Sequence, residues 1–153
     1  MPGLELRIPP VVVGFVFAGG IGLVSAFVPL ARVPLPGGIL AAVAAMLAGT
    51  LVALAGVWQF RRAGTTVHPM TPERTSKVVS GGLYRWSRNP MYLGMALVLF
   101  GLAAWRSTLA GYALAALFCA YLTRFQILPE ERVLLAAFGP EFAAYMARVR
   151  RWI

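Results

Sequence analysis

Four long apolar stretches separated by polar breaks run along this chain, and the pattern predicts helices that cross a bilayer. Val11 to Leu30 holds no charge between Arg7 and Arg32, and a helix of about 20 residues rises about 30 Å, the thickness of a hydrocarbon core. Gly14, Gly19, Gly20 and Gly22 would weaken that helix in water; in lipid they let helices approach closely. Pro29, Pro34, Pro36 and Gly37-Gly38 mark a turn. A second span runs from about Ile39 to Phe60, closed by Trp58, Arg61 and Arg62, with Ala41, Ala45 and Gly49 offering a small-residue packing face. The third starts near Pro90 and ends near Trp105. The fourth covers about Leu109 to Leu128, with Ser107 or Thr108 as its cap. Only Arg106-Ser107-Thr108 separates these two, which predicts a tight antiparallel hairpin, and both are short for a bilayer.

Between the second and third spans, Arg61 to Ser87 shows neither a helical nor a strand period. It includes Gly64 to Pro72, with the single histidine His68, and reads as an ordered loop over one membrane face, a length usually reserved for function. After the fourth span, Pro129-Glu130-Glu131 reads as a helix start: proline in the first turn, carboxylates at the positive end of the dipole. That helix is expected to run to Phe138 and break at Gly139-Pro140. A last helix, Glu141 to Arg151, is amphipathic, with Phe142, Met146, Val149 and Ile153 on one side and Glu141, Tyr145, Arg148 and Trp152 on another. That is the profile of an interfacial helix. The fold expected is all-α and membrane-integral, about four transmembrane helices plus C-terminal interfacial helices that close a pocket at the cytosolic face. Residues 1–153 form one domain, with two spans in 1–62 and the loop, hairpin and C-terminal helices in 63–153.

Composition agrees. At 59% hydrophobic and 12% charged, with a mean hydropathy of +0.75, 153 residues cannot hide so much apolar surface in a soluble core. The net charge of +9 flanks the apolar runs, which points to lipid headgroups and away from nucleic acid. A lone Cys119 in an apolar run excludes a disulfide framework and a cysteine metal cluster, and His68 has no partner ligands. Only Arg7 and the amino terminus precede a first apolar run long enough to span, unlike a cleavable signal peptide. Cations crowd the Arg61–Arg88 region and the tail from Arg132 to Arg151, whereas the opposite side has Arg32 and Arg106. The positive-inside rule therefore puts both termini and the polar loop in the cytosol. Trp58, Trp86 and Trp152 would mark that interface.

The chemistry concentrates at the mouth of the third span, Gly82 to Gly94. Pro90 fits the first helical turn and Asn89 the N-cap, so the positive end of the helix dipole faces Arg85, Arg88 and three aromatic rings. The predicted folding brings this cluster to Glu130-Glu131 and to Tyr145 and Arg148. A guanidinium, an amide, paired carboxylates and aromatic faces suit a small zwitterionic ligand with a ring. Arg88 can fork onto a carboxylate, a glutamate can take an ammonium or ribose hydroxyls, and an aromatic face can hold a purine or a sulfonium. No Gly-x-Gly-x-x-Gly or phosphate loop is present, which disfavours a dinucleotide or nucleoside triphosphate. Arg124, near the end of the fourth span, is a site candidate because an intramembrane cation is costly, or it snorkels to the boundary. Read blandly, Arg85 and Arg88 anchor the interface, the glutamates cap a helix, and Tyr145 and Arg148 serve an interfacial helix.

Gly82-Leu83-Tyr84 and Ser87-Arg88-Asn89-Pro90-Met91-Tyr92-Leu93-Gly94 are similar to the Gly-x-Tyr…Arg-His/Asn-Pro-x-Tyr-x-Gly signature of isoprenylcysteine carboxyl methyltransferases and related phospholipid methyltransferases. Glu130-Glu131 and Phe138-Gly139-Pro140-Glu141-Phe142, followed by Tyr145, Val149, Arg151, Trp152 and Ile153, resemble the C-terminal signature of the same family. The resemblance runs from Gly64 to the end. It implies an integral-membrane methyltransferase that uses S-adenosylmethionine, bound by the C-terminal half through Tyr84, Arg88, Asn89, Pro90, Tyr92, Gly94, Glu130, Glu131, Tyr145 and Arg148. Arg88, Glu131 and Arg124 are the candidates for the chemistry, and no metal is implied. Asn89 stands where the eukaryotic enzymes carry histidine. The acceptor expected is a lipophilic molecule entering from the bilayer, with carboxyl O-methylation first and N-methylation of an amine-bearing phospholipid second. A nicotinamide-dependent membrane reductase and a non-enzymatic structural or channel protein are the other readings.

Overall fold

The computed structural model describes residues 5–28, 32–34, 36–64 and 77–153. Pro29 and residues 65–76 of the polar loop, His68 and Arg74 among them, lie outside the described residues. Five helices form the scaffold: α1 (Pro10–Phe27), α2 (Gly38–Arg62), α3 (Pro90–Arg106), α4 (Leu109–Leu122) and α5 (Leu128–Arg148), with a short 3-10 turn at Gly82–Arg85. Among the described residues there is no strand, only an isolated bridge between Arg32 and Thr108.

α1, α2 and the continuous rod Leu109–Arg148 are long and apolar enough to cross a membrane, whereas α3 is a shorter apolar helix. At 17 residues α3 rises about 26 Å. Its start and stop follow local chemistry. Pro90 presets φ at the first helical position, and Ser107 closes the other end in a left-handed conformation, φ 51°. Thr108 then caps α4, its side chain accepting the Gly111 N–H at 3.2 Å.

The helices run up and down. Gly49 of α2 and Gly94 of α3 face one another so closely that a Cβ on Gly49 would lie 2.6 Å from the Gly94 carbonyl oxygen. Bare backbones meet here, the contact that small residues permit in lipid. The buried row on α2 is Ala42, Gly49 and Gly56, so of the expected face Gly49 is fully inside and Ala41 lies to one side. A seven-residue spacing keeps one face of a helix toward a close neighbour better than a four-residue one. On the other side of α3, Tyr92, Ala96, Leu99 and Ala103 pack with Val13 and Ile21 of α1 and with Ala115, Phe118 and Leu122 of α4. Ser25 of α1 meets Thr108 at 3.0 Å, and the Leu6 N–H bonds the Phe125 carbonyl at 3.1 Å at the opposite end. That second end therefore gathers the start of α1, the end of α2, the start of α3 and the end of α4.

The rod departs from expectation at Pro129. A break was expected there; instead α4 passes through a π-helical turn, Thr123–Ile127, directly into α5. A proline inside a helix removes one N–H and crowds the preceding turn, and a widened turn just upstream accommodates both effects without stopping the helix. The break at Gly139-Pro140 does occur, as a kink with Gly139 at φ 50°, ψ −123°. The final helix ends at Arg148, not Arg151, and residues 149–153 run on without helical structure. Tyr145 lies buried beside Phe142 instead of on a polar face, and Trp152 is half-buried.

Candidate active site

The kink in α5 folds its second half back over the 3-10 turn and the mouth of α3. Tyr84, Phe142 and Tyr145 form a buried aromatic knot, backed by Phe60, Val78, Val79, Leu134 and Phe138. The Tyr145 hydroxyl donates to the Tyr84 carbonyl at 2.8 Å, fixing α5 to the turn. Gly82 makes the turn possible: it sits at φ +58°, and Gln59 of α2 lies where a Cβ would go. The Gln59 side-chain oxygen accepts the Leu83 N–H at 3.0 Å. Burial holds the Tyr84 phenol far above its ordinary range.

Beside this knot opens a small cleft of about 50 Å³, partly open to solvent. Its polar lining includes Lys77, Arg88, Asn89, Glu130 and Glu131. The sequence had named four of these together with Tyr84 and Tyr145, and they converge from three separate segments.

Glu131 is the hub of a charge cluster. Its Oε1 lies 2.9 Å from Arg88 Nη2 and accepts from Arg151 Nε at 3.0 Å, while Oε2 accepts from Arg151 Nη2 at 2.7 Å. The Arg151 fork is bidentate, the strong form of such a pair, and it pushes the Arg151 guanidinium pKa up. The Arg88 and Glu131 side chains are only 11% and 13% exposed. Arg88 also donates from Nη1 to the Met146 carbonyl at 3.0 Å. Its Nε is buried and finds no partner among the described residues.

Glu130 is built differently. Its Oε1 accepts from the Tyr92 hydroxyl and from Gln126 Nε2, each at 2.6 Å. Neutral donors alone meet that oxygen, and no described cation pairs with the carboxylate. Both glutamates reach the cleft because they are adjacent at the start of α5, but one is clamped between guanidiniums and the other is not.

Asn89 occupies the N-cap position of α3, yet its side chain does not cap the helix. The amide instead donates to the Arg151 carbonyl at 2.9 Å, and Ser87 Oγ accepts the Asn89 N–H at 3.1 Å. Pro90 is buried in the first turn of α3. Gly94 faces Gly49 and Ala53 of α2, away from the cleft. Arg148 is exposed, and its Nε donates to the Ala144 carbonyl on its own helix at 3.3 Å. Arg124 pairs with Glu5 at 2.7 Å and does not line the cleft; a second guanidinium, Arg132, binds the other Glu5 oxygen. Two functional neighbours were missed. Gln126 carried a signal, an amide inside an apolar run. Arg151, one of the tail cations, carries no inward signal beyond its place in the C-terminal signature.

Three helices long and apolar enough to cross a membrane, with a charged, aromatic-walled cleft at one end of the bundle, define an integral membrane protein. The phospholipid methyltransferase family matches residues 38–141, and the chain belongs to that family. An uncharacterized protein of Haemophilus influenzae aligns over its whole length, 33% identical across 63 residues, 41% of this chain. No solved structure matches. Family membership implies S-adenosylmethionine-dependent methyl transfer to a lipid-like acceptor. The donor set fits that cofactor. The unpartnered Arg88 Nε–H suits a carboxylate, the carboxylate of Glu130 suits an ammonium or hydroxyls, and the rings of Tyr84, Phe138, Phe142 and Tyr145 suit an adenine.

Proposed function

We propose that this protein is an S-adenosylmethionine-dependent methyltransferase with its donor site in the α3–α5 cleft and a lipid-like acceptor. The observation that carries the reading is Arg88, a buried cation that lines the cleft and whose Nε–H has no described partner. Leaving such a group unmade is costly, and a ligand oxygen removes the cost. When bound, the cofactor supplies an electrophilic methyl group on a sulfonium. Arg88 holds a carboxylate, the aromatic knot excludes water and flanks the ring, and the residues around the cleft align the acceptor for displacement. Cations gathered at this end of the bundle favour its placement in the cytosol.

The acceptor's tail has a route. An apolar groove of about 250 Å³ between α1 and α2, floored by Met95, Val98 and Leu99 of α3, opens sideways one helical turn beyond Tyr92. Carboxyl O-methylation needs no base, only a cation to orient the acceptor, and Lys77 on the cleft wall serves. A second reading, N-methylation of an amine-bearing phospholipid, is favoured by Glu130: a carboxylate met only by neutral donors can take the proton that the amine nitrogen must lose.

Protein in mild detergent, given methyl-labelled S-adenosylmethionine and vesicles containing either phosphatidylethanolamine or a prenylcysteine analogue, separates these readings. Label released by alkali as methanol marks an ester; alkali-stable label marks an N-methyl group. Failure to transfer label, together with no thermal shift from S-adenosylhomocysteine, would refute the proposal. A shift with NADPH in its place would favour a reductase, and no shift with any of these ligands a structural protein.

A further inference from the structure

Residues 149–153 cross the mouth of α3 as a strap. The Arg88 N–H donates to the Arg150 carbonyl at 3.0 Å, the Asn89 amide to the Arg151 carbonyl at 2.9 Å, and Ser87 Oγ to the same carbonyl at 3.5 Å. The Trp152 indole N–H donates to Thr123 Oγ1 at 3.2 Å, at the first residue of the π-helical turn. Between these anchors the Arg151 side chain forks onto Glu131. Glu131 in turn holds Arg88, a cleft-lining residue whose buried Nε has no described partner. The segment thus touches the Arg88 turn through its backbone, the π-helical turn through its indole, and the charge cluster through one guanidinium.

We infer that Arg151 is a positioning residue: through Glu131 it sets the Arg88 guanidinium so that Nε faces a bound anion. This rests on the donor-site reading above. The geometry explains why one glutamate carries two guanidiniums. Arg88 alone could swing on Glu131 about a single 2.9 Å contact, whereas a carboxylate fixed in its plane by a bidentate fork presents Oε1 in one direction only. Supporting residues of this kind typically change affinity or activity by about 10–100-fold when removed, as in the outer shell of metal sites.

The test compares Arg151→Ala, Arg151→Lys and Arg85→Ala, the last removing an exposed charge from the neighbouring turn. The background carries Trp58→Phe, Trp86→Phe and Trp105→Phe, all exposed positions, so that Trp152 is the single fluorophore. Arg151→Ala is expected to raise the Kd for S-adenosylhomocysteine and the KM for the donor about tenfold with kcat within about twofold. Arg151→Lys is expected to recover part of that loss, and Arg85→Ala to change neither. Trp152 emission is expected to shift to the red in Arg151→Ala alone, as the strap loosens. Unchanged Kd, or equal losses in Arg151→Ala and Arg85→Ala, would overturn the inference. If the parent protein bound no S-adenosylhomocysteine, the donor-site reading would fail by itself; the strap is then scored by Trp152 emission, and unchanged emission in Arg151→Ala would overturn it too.

Discussion

Removing Glu131 and removing Arg88 should have unequal profiles, although the two side chains share one ion pair. Glu131→Gln leaves two guanidiniums facing a neutral amide. Arg88 is 11% exposed, so its charge is stranded with the Met146 carbonyl as its remaining side-chain partner. Breaking a buried pair in this way costs about 3–5 kcal/mol. Arg151 adds little to that figure, because at 34% exposed it is relieved by solvent. Arg88→Ala leaves Glu131 still held by the Arg151 fork; it loses the bonds to Glu131 and to the Met146 carbonyl but relieves the unpartnered buried Nε–H, a net loss of about 1.5–3 kcal/mol. At about 2–4 °C per kcal/mol for a chain of this size, Glu131→Gln should lower Tm by about 10 °C and Arg88→Ala by about half as much.

Ligand response should separate the two further. At a concentration of S-adenosylhomocysteine 100 times the wild-type Kd, binding stabilises by about 2.7 kcal/mol. Loss of the Arg88 contact, at about 1.5–3 kcal/mol, weakens affinity roughly 10–100-fold. For a thirtyfold loss, the same ligand concentration then stabilises Arg88→Ala by only about 0.9 kcal/mol. Thermal unfolding in detergent micelles with and without the ligand reads both quantities. Equal destabilisation by the two variants would refute the assignment of Glu131 as the hub. A full ligand shift in Arg88→Ala would refute the role of the orphan Nε–H.

Gly94→Val drives a side chain into Gly49 and Ala53 of α2, and overpacking of this kind should destabilise by about 1–3 kcal/mol, read as a lower midpoint of thermal unfolding in the same micelles. Thr108→Ala removes the acceptor for the Gly111 N–H and the Ser25 contact; a loss of about 1 kcal/mol is expected, with S-adenosylhomocysteine binding unchanged because the site is at the other end of the bundle. Glu5 is held below its ordinary value of 4.5, first by the hydrogen bond from Arg124 and then by Arg132. A depressed carboxylate stabilises above its unfolded pKa and loses that contribution as pH falls through its folded one. Hydrogen exchange at the Leu6 amide should therefore accelerate below about pH 4.5 relative to a Glu5→Gln variant, which should already be loose at pH 7. Identical protection in the two proteins at pH 7 would refute it.

The spans were legible because a bilayer leaves the backbone few options. Apolar length, Pro90 at a helix start and Thr108 before Leu109 each fix a boundary locally. The meeting of Arg88 with Glu130 and Glu131 was legible for the same reason, since an up-and-down bundle returns both segments to one end. The π-helical turn was not. Its cause is a proline whose usual local meaning is a helix start, and only the packing of Phe118, Leu122 and Ile127 into the core keeps the rod continuous through it.

What separates the two glutamates was invisible for a different reason. Adjacent residues on a helix point about 100° apart, so Glu130 and Glu131 necessarily face different neighbours, but the neighbours come from afar: Arg151 lies twenty residues on and Tyr92 thirty-eight residues back. Residues 149–153 decide the matter, because they leave the helical path and carry Arg151 back across the mouth of α3. Had the last helix run to Arg151, its guanidinium would have projected from an interfacial surface and Glu131 would have had Arg88 alone. The kink at Gly139 and the end of α5 at Arg148 thus determine which glutamate is spent on structure and which stays available to a ligand.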